Sequence, residues 1–144
     1  KDFNSLMNYK LIILQFGLNV LSPGMSDYTW YVNKMDNVIS TLKQSFPGAG
    51  FLLISIGDKS DKQGARFVTH PGVAQLIKAQ KSIADKNGIA FWNMFDAMGG
   101  KNSMEQWVSA NPPLASKDYS HLTYEGATRI GELLFEALMD QNKF

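Results

Sequence analysis

The sequence predicts an α/β fold built on a parallel sheet. Short apolar runs alternate with amphipathic stretches of helical period, which is the pattern of successive βαβ units. The apolar runs are continuous instead of alternating, as in strands covered on both faces. No internal repeat, low-complexity tract or linker interrupts the pattern.

The first strand is expected at Leu11 to Phe16, buried on both faces. From about Asp27 to Phe46 apolar residues recur at Val32, Met35, Ile39, Leu42 and Phe46, a helical stripe that Pro47-Gly48 stops. Phe51 to Ile56 reads as a second buried strand and Gly57 to Arg66 as a polar loop of mixed charge. A helix follows from about Pro71 to Lys86, with proline tolerated in its first turn and Asn87-Gly88 placed as its C-terminal cap. Ile89 to Trp92 is the third strand. Ser103-Met104-Glu105-Gln106 has the form of a capping box for a short helix towards Ala110, which Asn111-Pro112-Pro113 ends. The closing helix, from about Tyr124 to Met139, places Ile130, Leu133, Leu134, Ala137 and Leu138 on one face.

Three strands make a thin sheet, and a run as apolar as Leu11 to Phe16 is unfavourable as an open edge. A neighbouring strand is expected. Lys1 to Tyr9 is polar and short and reads as the end of a helix, so the neighbour is expected upstream of Lys1 or in another molecule. The chain starts at Lys1, not methionine, and is read as a processed, truncated or engineered piece.

With 144 residues, 44% hydrophobic and 19% charged, the chain forms one core, and residues 1–144 are read as a single, incomplete domain. A net charge of +1, with acids and bases interspersed, offers no basic surface for a phosphate backbone, so nucleic acid is not expected as a partner. No run approaches the roughly 20 apolar residues that span a bilayer. The absence of cysteine excludes disulfides and thiolate metal sites, and two histidines with scattered carboxylates do not make a metal site.

Chemistry is concentrated in two short motifs. Asp118-Tyr119-Ser120-His121 places a carboxylate three residues before a histidine, just ahead of the last helix. Such a carboxylate can orient the imidazole and leave its other nitrogen free to take a proton from a serine. Gly17-Leu18-Asn19 ends the first apolar run, where an asparagine amide beside a flexible glycine can donate to a developing oxyanion.

Other polar residues have simpler readings. Gly57-Asp58-Lys59-Ser60 mimics a strand followed by G-D-S with lysine in the serine's place, and is read as the start of a loop. His70 is read as a residue that starts the following helix. Trp30, Tyr31, Trp92 and Trp107 are read as packing residues, and Met94, Met98 and Met104 as core gap-fillers.

Gly17-Leu18-Asn19 after a buried strand and Asp118-Tyr119-Ser120-His121 before a final helix together resemble the SGNH (GDSL-type) hydrolase family of esterases and lipases. The likeness covers essentially the whole chain, as the family's C-terminal two-thirds. It implies a flavodoxin-like parallel sheet with helices on both faces, a three-layer α/β/α fold whose N-terminal strands lie outside this chain. It also implies that His121 is the general base, Asp118 its orienting carboxylate and Asn19 an oxyanion-hole donor, with Gly17 shaping the turn. Val20 follows Asn19 where many members have aspartate. The family's G-D-S serine block and second-block glycine are not found, so no nucleophile is identified in this chain.

The stretch from Phe91 to Gly100, with Ser103-Met104 and Pro113-Leu114, is similar to a bacterial subgroup of secreted carbohydrate and peptidoglycan O-acetyl esterases. The resemblance implies a serine esterase acting on a small ester or acetylated carbohydrate, without a cofactor, in the periplasm or outside the cell. The serine would come from a missing N-terminal segment of the same protein or from a second chain, and this chain alone would be inactive. The rival reading is a non-catalytic, flavodoxin-like binding or assembly module in which Asp118 and His121 form only a loop hydrogen bond.

Overall fold

A computed structural model describes residues 8–22 and 24–140; most of the Lys1 to Tyr9 segment therefore lies outside the described residues. In chain order the elements are β1 (Leu11–Gln15), a 3-10 turn (Leu18–Val20), α1 (Thr29–Ser45), β2 (Gly50–Ile54), β3 (Ser60–Gln63) and β4 (Arg66–Thr69). There follow α2 (Val73–Asn87), β5 (Ala90–Trp92), α3 (Met94–Ala97), α4 (Ser103–Ser109) and α5 (Tyr124–Met139).

The main sheet is parallel, in the order β1-β2-β5, with Ile13 opposite Leu52 and Leu53 opposite Phe91. Successive side chains of a strand point to opposite faces, so β2 feeds two cores. Leu53 packs with Tyr31, Met35 and Ile39 of α1 and with Val73, Leu76 and Ile83 of α2. Leu52 and Ile54 pack on the other face with Met94, Met98, Met104, Trp107 and Ile130, from α3 to α5 and the loop after α3. This is the expected three-layer α/β/α arrangement.

Helix ends follow local chemistry. Gly88 closes α2 in the left-handed conformation (φ 56°), with its N–H bonded back to Asp85 O, as the Asn87-Gly88 pair foretold. Thr123 caps α5, its hydroxyl accepting from Gly126 N at 3.1 Å.

Three expectations are corrected. β1 is not buried on both faces: Ile12 and Leu14 are half-buried towards α1 and α2, but Leu11 and Ile13 are 44% and 46% exposed on the face they share with Leu52. β1 has only β2 beside it among the described residues, and α5 leaves Phe135, Leu138 and Met139 exposed in the same layer.

The supposed loop from Gly57 to Arg66 contains β3, the turn and the first residue of β4, an antiparallel hairpin turning through Gly64 (φ 62°) and Ala65. β3 is too polar and β4 too short to show a buried period, and contacts elsewhere in the fold hold them. Finally, Ser103 is the first residue of α4 and not its cap. Asn102 precedes it at φ 64°, and Asp58 Oδ2 accepts from Met104 N at 2.8 Å in the capping role.

Candidate active site

The carboxyl ends of β1 and β2 and the loop before α5 enclose a cleft of about 420 Å³. Gly17 and Asn19 line it together with His121, which is distant from them in sequence. Ile56, Gly57 and Asp58 form another wall after β2, and Met94, Met98 and Met104 add thioether surface. Open parallel sheets place ligands at this end of their strands.

The turn after β1 is tightly built. Gly17 has φ 122°, and a Cβ there would lie 3.0 Å from Gln80 Nε2 and 3.1 Å from the Tyr31 hydroxyl, so only glycine fits. Asn19 follows in the 3-10 turn, exposed at the cleft. Gln80, fully buried on α2, bonds both cleft walls: Nε2 donates to Phe16 O at 2.9 Å and Oε1 accepts from Ile56 N at 3.0 Å. Sequence reading passed over Gln80. Its signal was a polar residue in register with the apolar stripe Val73, Leu76 and Ile83.

The loop before α5 is stapled at its base. Thr123 N donates to Leu114 O at 3.1 Å and Ser116 N to His121 O at 2.8 Å. Within it, Asp118 Oδ2 lies 2.6 Å from His121 Nδ1, while Oδ1 accepts from Ser120 N at 2.9 Å and His121 N at 3.0 Å. Hydrogen bonds from the His121 ring and then the His121 backbone outweigh desolvation and hold the Asp118 carboxyl at about 2, against an ordinary 3.8. With Nδ1 engaged, Nε2 is the ring nitrogen available to accept a proton. Ser120 also lines the cleft, but its hydroxyl donates to Asp118 O at 3.3 Å.

Asp58 is the other residue that sequence reading undervalued. It is 1% exposed, Oδ2 anchors α4 through Met104 N, and Oδ1 has no hydrogen-bond partner among the described residues. Ser60 is buried at the start of β3 and does not line the cleft. His70 lies apart from the cleft, its Nδ1 accepting from Gly72 N at 2.9 Å just before α2, as a helix-starting residue should. Trp30, Tyr31, Trp92 and Trp107 are all absent from the cleft wall; Trp107 donates its indole N–H to Met98 O at 2.8 Å. Among the described residues no group of three or more histidine and carboxylate side chains is placed to hold a metal, and no helix is long and apolar enough to cross a membrane.

No family model and no curated protein sequence matches the chain. Solved structures do. A peptidoglycan O-acetylesterase is similar at 27% identity over 90% of this chain, with a TM-score of 0.80. An acetylxylan esterase from Geobacillus stearothermophilus aligns over 90% at 15% identity (TM-score 0.56), and the periplasmic domain of a lipopolysaccharide acetyltransferase from Salmonella ser. Paratyphi A over 96% at 12% (TM-score 0.58). The chain spans 37%, 59% and 60% of these three structures respectively.

Proposed function

We propose that this chain, whose α/β fold is that of the SGNH-type hydrolases, supplies the general base, its orienting carboxylate and part of the oxyanion hole of a serine ester hydrolase. The observation that carries this reading is the convergence of Gly17, Asn19 and His121 on one cleft, with Asp118 held on the Nδ1 side of His121 at 2.6 Å.

In this mechanism a serine hydroxyl attacks the acyl carbonyl and His121 Nε2 takes its proton. Asn19 and backbone donors stabilise the tetrahedral oxyanion. The alcohol leaves with the proton from His121, giving an acyl-serine. His121 then deprotonates water, which attacks the ester, and returns that proton to the departing serine oxygen as the carboxylic acid is released. Asp118 holds the imidazolium in both steps.

The nucleophile comes from an upstream segment of the same protein or from a second chain, seated beside β1. The exposed Leu11 and Ile13 support this placement, since an apolar edge strand is the surface such a segment would cover. The substrate is an O-acetyl group on a carbohydrate or on peptidoglycan, in keeping with the named activity of the structure similar at 27% identity, and the site of action is the periplasm or the cell exterior.

The test mixes this chain with, or fuses it to, an upstream polypeptide carrying an apolar strand that ends in Gly-Asp-Ser. Release of 4-nitrophenol from 4-nitrophenyl acetate, and of acetate from O-acetylated peptidoglycan, is then followed. Hydrolysis is expected from the combination, not from this chain alone, and is lost in His121→Ala. A folded combination that stays inactive reduces Asp118 and His121 to a loop hydrogen bond in a binding module.

A further inference from the structure

We infer that Phe67 is a positioning residue for the Asp118–His121 pair: its ring, carried by the β3–β4 hairpin, holds Tyr119 in the conformation that brings carboxylate and imidazole together. The inference rests on the reading of that pair proposed above.

Tyr119 occupies the second position of the Asp118-Tyr119-Ser120-His121 motif at φ 56°. Tyr119 and Asn102 are the only non-glycine residues with positive φ among those described. A bulky side chain adopts this backbone only where its surroundings impose it. The turn it makes lets Ser120 N and His121 N converge on Asp118 Oδ1, at 2.9 and 3.0 Å, and leaves Oδ2 for the His121 ring. If Tyr119 relaxes, this three-fold grip on the carboxylate is lost.

Three contacts impose the conformation. Tyr119 N donates to Ser116 O and Ser60 N donates to Tyr119 O, each at 3.0 Å. Both are backbone bonds, open to most residues at these positions. The third depends on side chains: the Phe67 and Tyr119 rings stack with centroids 3.5 Å apart and planes 3° from parallel.

Phe67 is itself firmly held, so it can restrain its neighbour. It lies opposite Lys62 across the hairpin. Two residues on, Thr69 N donates to Asn102 Oδ1 at 3.0 Å while Asn102 N donates to Thr69 Oγ1 at 2.7 Å. His70 N donates to Lys59 O at 2.7 Å and closes the hairpin's base. The hairpin thus bridges the start of α4 and the Asp118–His121 loop. Neither Phe67 nor Tyr119 lines the cleft, so the effect on chemistry passes through the geometry of the pair and not through substrate contact.

The test follows the Asp118 side-chain carboxyl by carbon NMR against pH in this chain, with dispersed amide spectra confirming that each variant is folded. The unaltered chain is expected to titrate at about 2. Phe67→Leu, which keeps an apolar side chain without a ring, is expected to move the midpoint towards 3.8, and Phe67→Tyr to restore it. Tyr119→Gly tolerates positive φ but lacks the ring, and is also expected to move the midpoint upwards, while Tyr119→Phe leaves it in place. A midpoint still at about 2 in folded Phe67→Leu and Tyr119→Gly overturns this inference and leaves the proposed function standing. An unaltered chain that already titrates at 3.8 removes the pair itself, and with it both the inference and the proposed function.

Discussion

The Asp118 carboxylate makes three hydrogen bonds to two residues of its own loop, and all three favour its charged form. Because its carboxyl is held at about 2, below the ordinary 3.8, the stability it contributes is fully present above 3.8 and is lost as pH falls through about 2. The thermal midpoint of the chain is therefore expected to fall across that acid window, and the fall to be shallower in Asp118→Asn. The slope is modest because the pair is largely solvent-exposed and screened. Differential scanning fluorimetry between those pH values checks it. Once the nucleophile is supplied, Asp118→Asn is expected to lower kcat by about 10⁴-fold, since an asparagine in that place misorients the imidazole tautomer; steady-state hydrolysis of 4-nitrophenyl acetate reads it.

The elements carrying these residues are joined at a few points that tolerate little change. Gln80 ties α2 to the ends of β1 and β2, so Gln80→Ala strands Ile56 N in a buried setting and Phe16 O in a partly buried one. Urea unfolding is expected to show a loss of about 1–3 kcal/mol for each group left unpaired. At the start of α5, a Cβ on Gly126 would lie 1.8 Å from Leu114 O, a backbone atom that cannot swing aside. Gly126→Ala is expected to cost about 3 kcal/mol, the upper part of the range for overpacking, read by the same unfolding curve. Since Leu114 O also accepts from Thr123 N, the displaced loop is the one that bears Asp118 and His121.

At the scale of the whole molecule, the layer containing α5 is unevenly covered. Ile54 and Met104 are buried, yet Ile13 is 46% and Phe135 64% exposed. Exposed apolar surface beside an open strand edge promotes association. Sedimentation of this chain is expected to depend on its concentration, and the double substitution Ile13→Glu with Phe135→Glu to leave it monomeric. Addition of the Gly-Asp-Ser-bearing polypeptide proposed above is expected to raise the Tm of the unaltered chain and not of the double variant.

Much of this was legible in the sequence, because elements with strong apolar periodicity announce themselves. The apolar stripe through Ile130, Leu133 and Ala137 marks α5, and Asn87-Gly88 marks the end of α2, since a left-handed cap favours glycine. The two motifs on the cleft were legible as well, because the Asp118–His121 contact is local, spanning three residues. What the sequence left undetermined are features made by distant partners. β3 is too polar and β4 too short to show a buried period, and they are held through Tyr119 and Asn102. Asp58 replaces Ser103 in the capping role from 46 residues away. Gln80 reads as an interruption of an apolar stripe until Phe16 O and Ile56 N come to meet it. Periodicity and local turn chemistry are properties of neighbours along the chain and survive in the sequence alone. Hydrogen bonds between distant residues and the close approach of Gly126 to Leu114 depend on how the layers stack, and only the tertiary structure decided them.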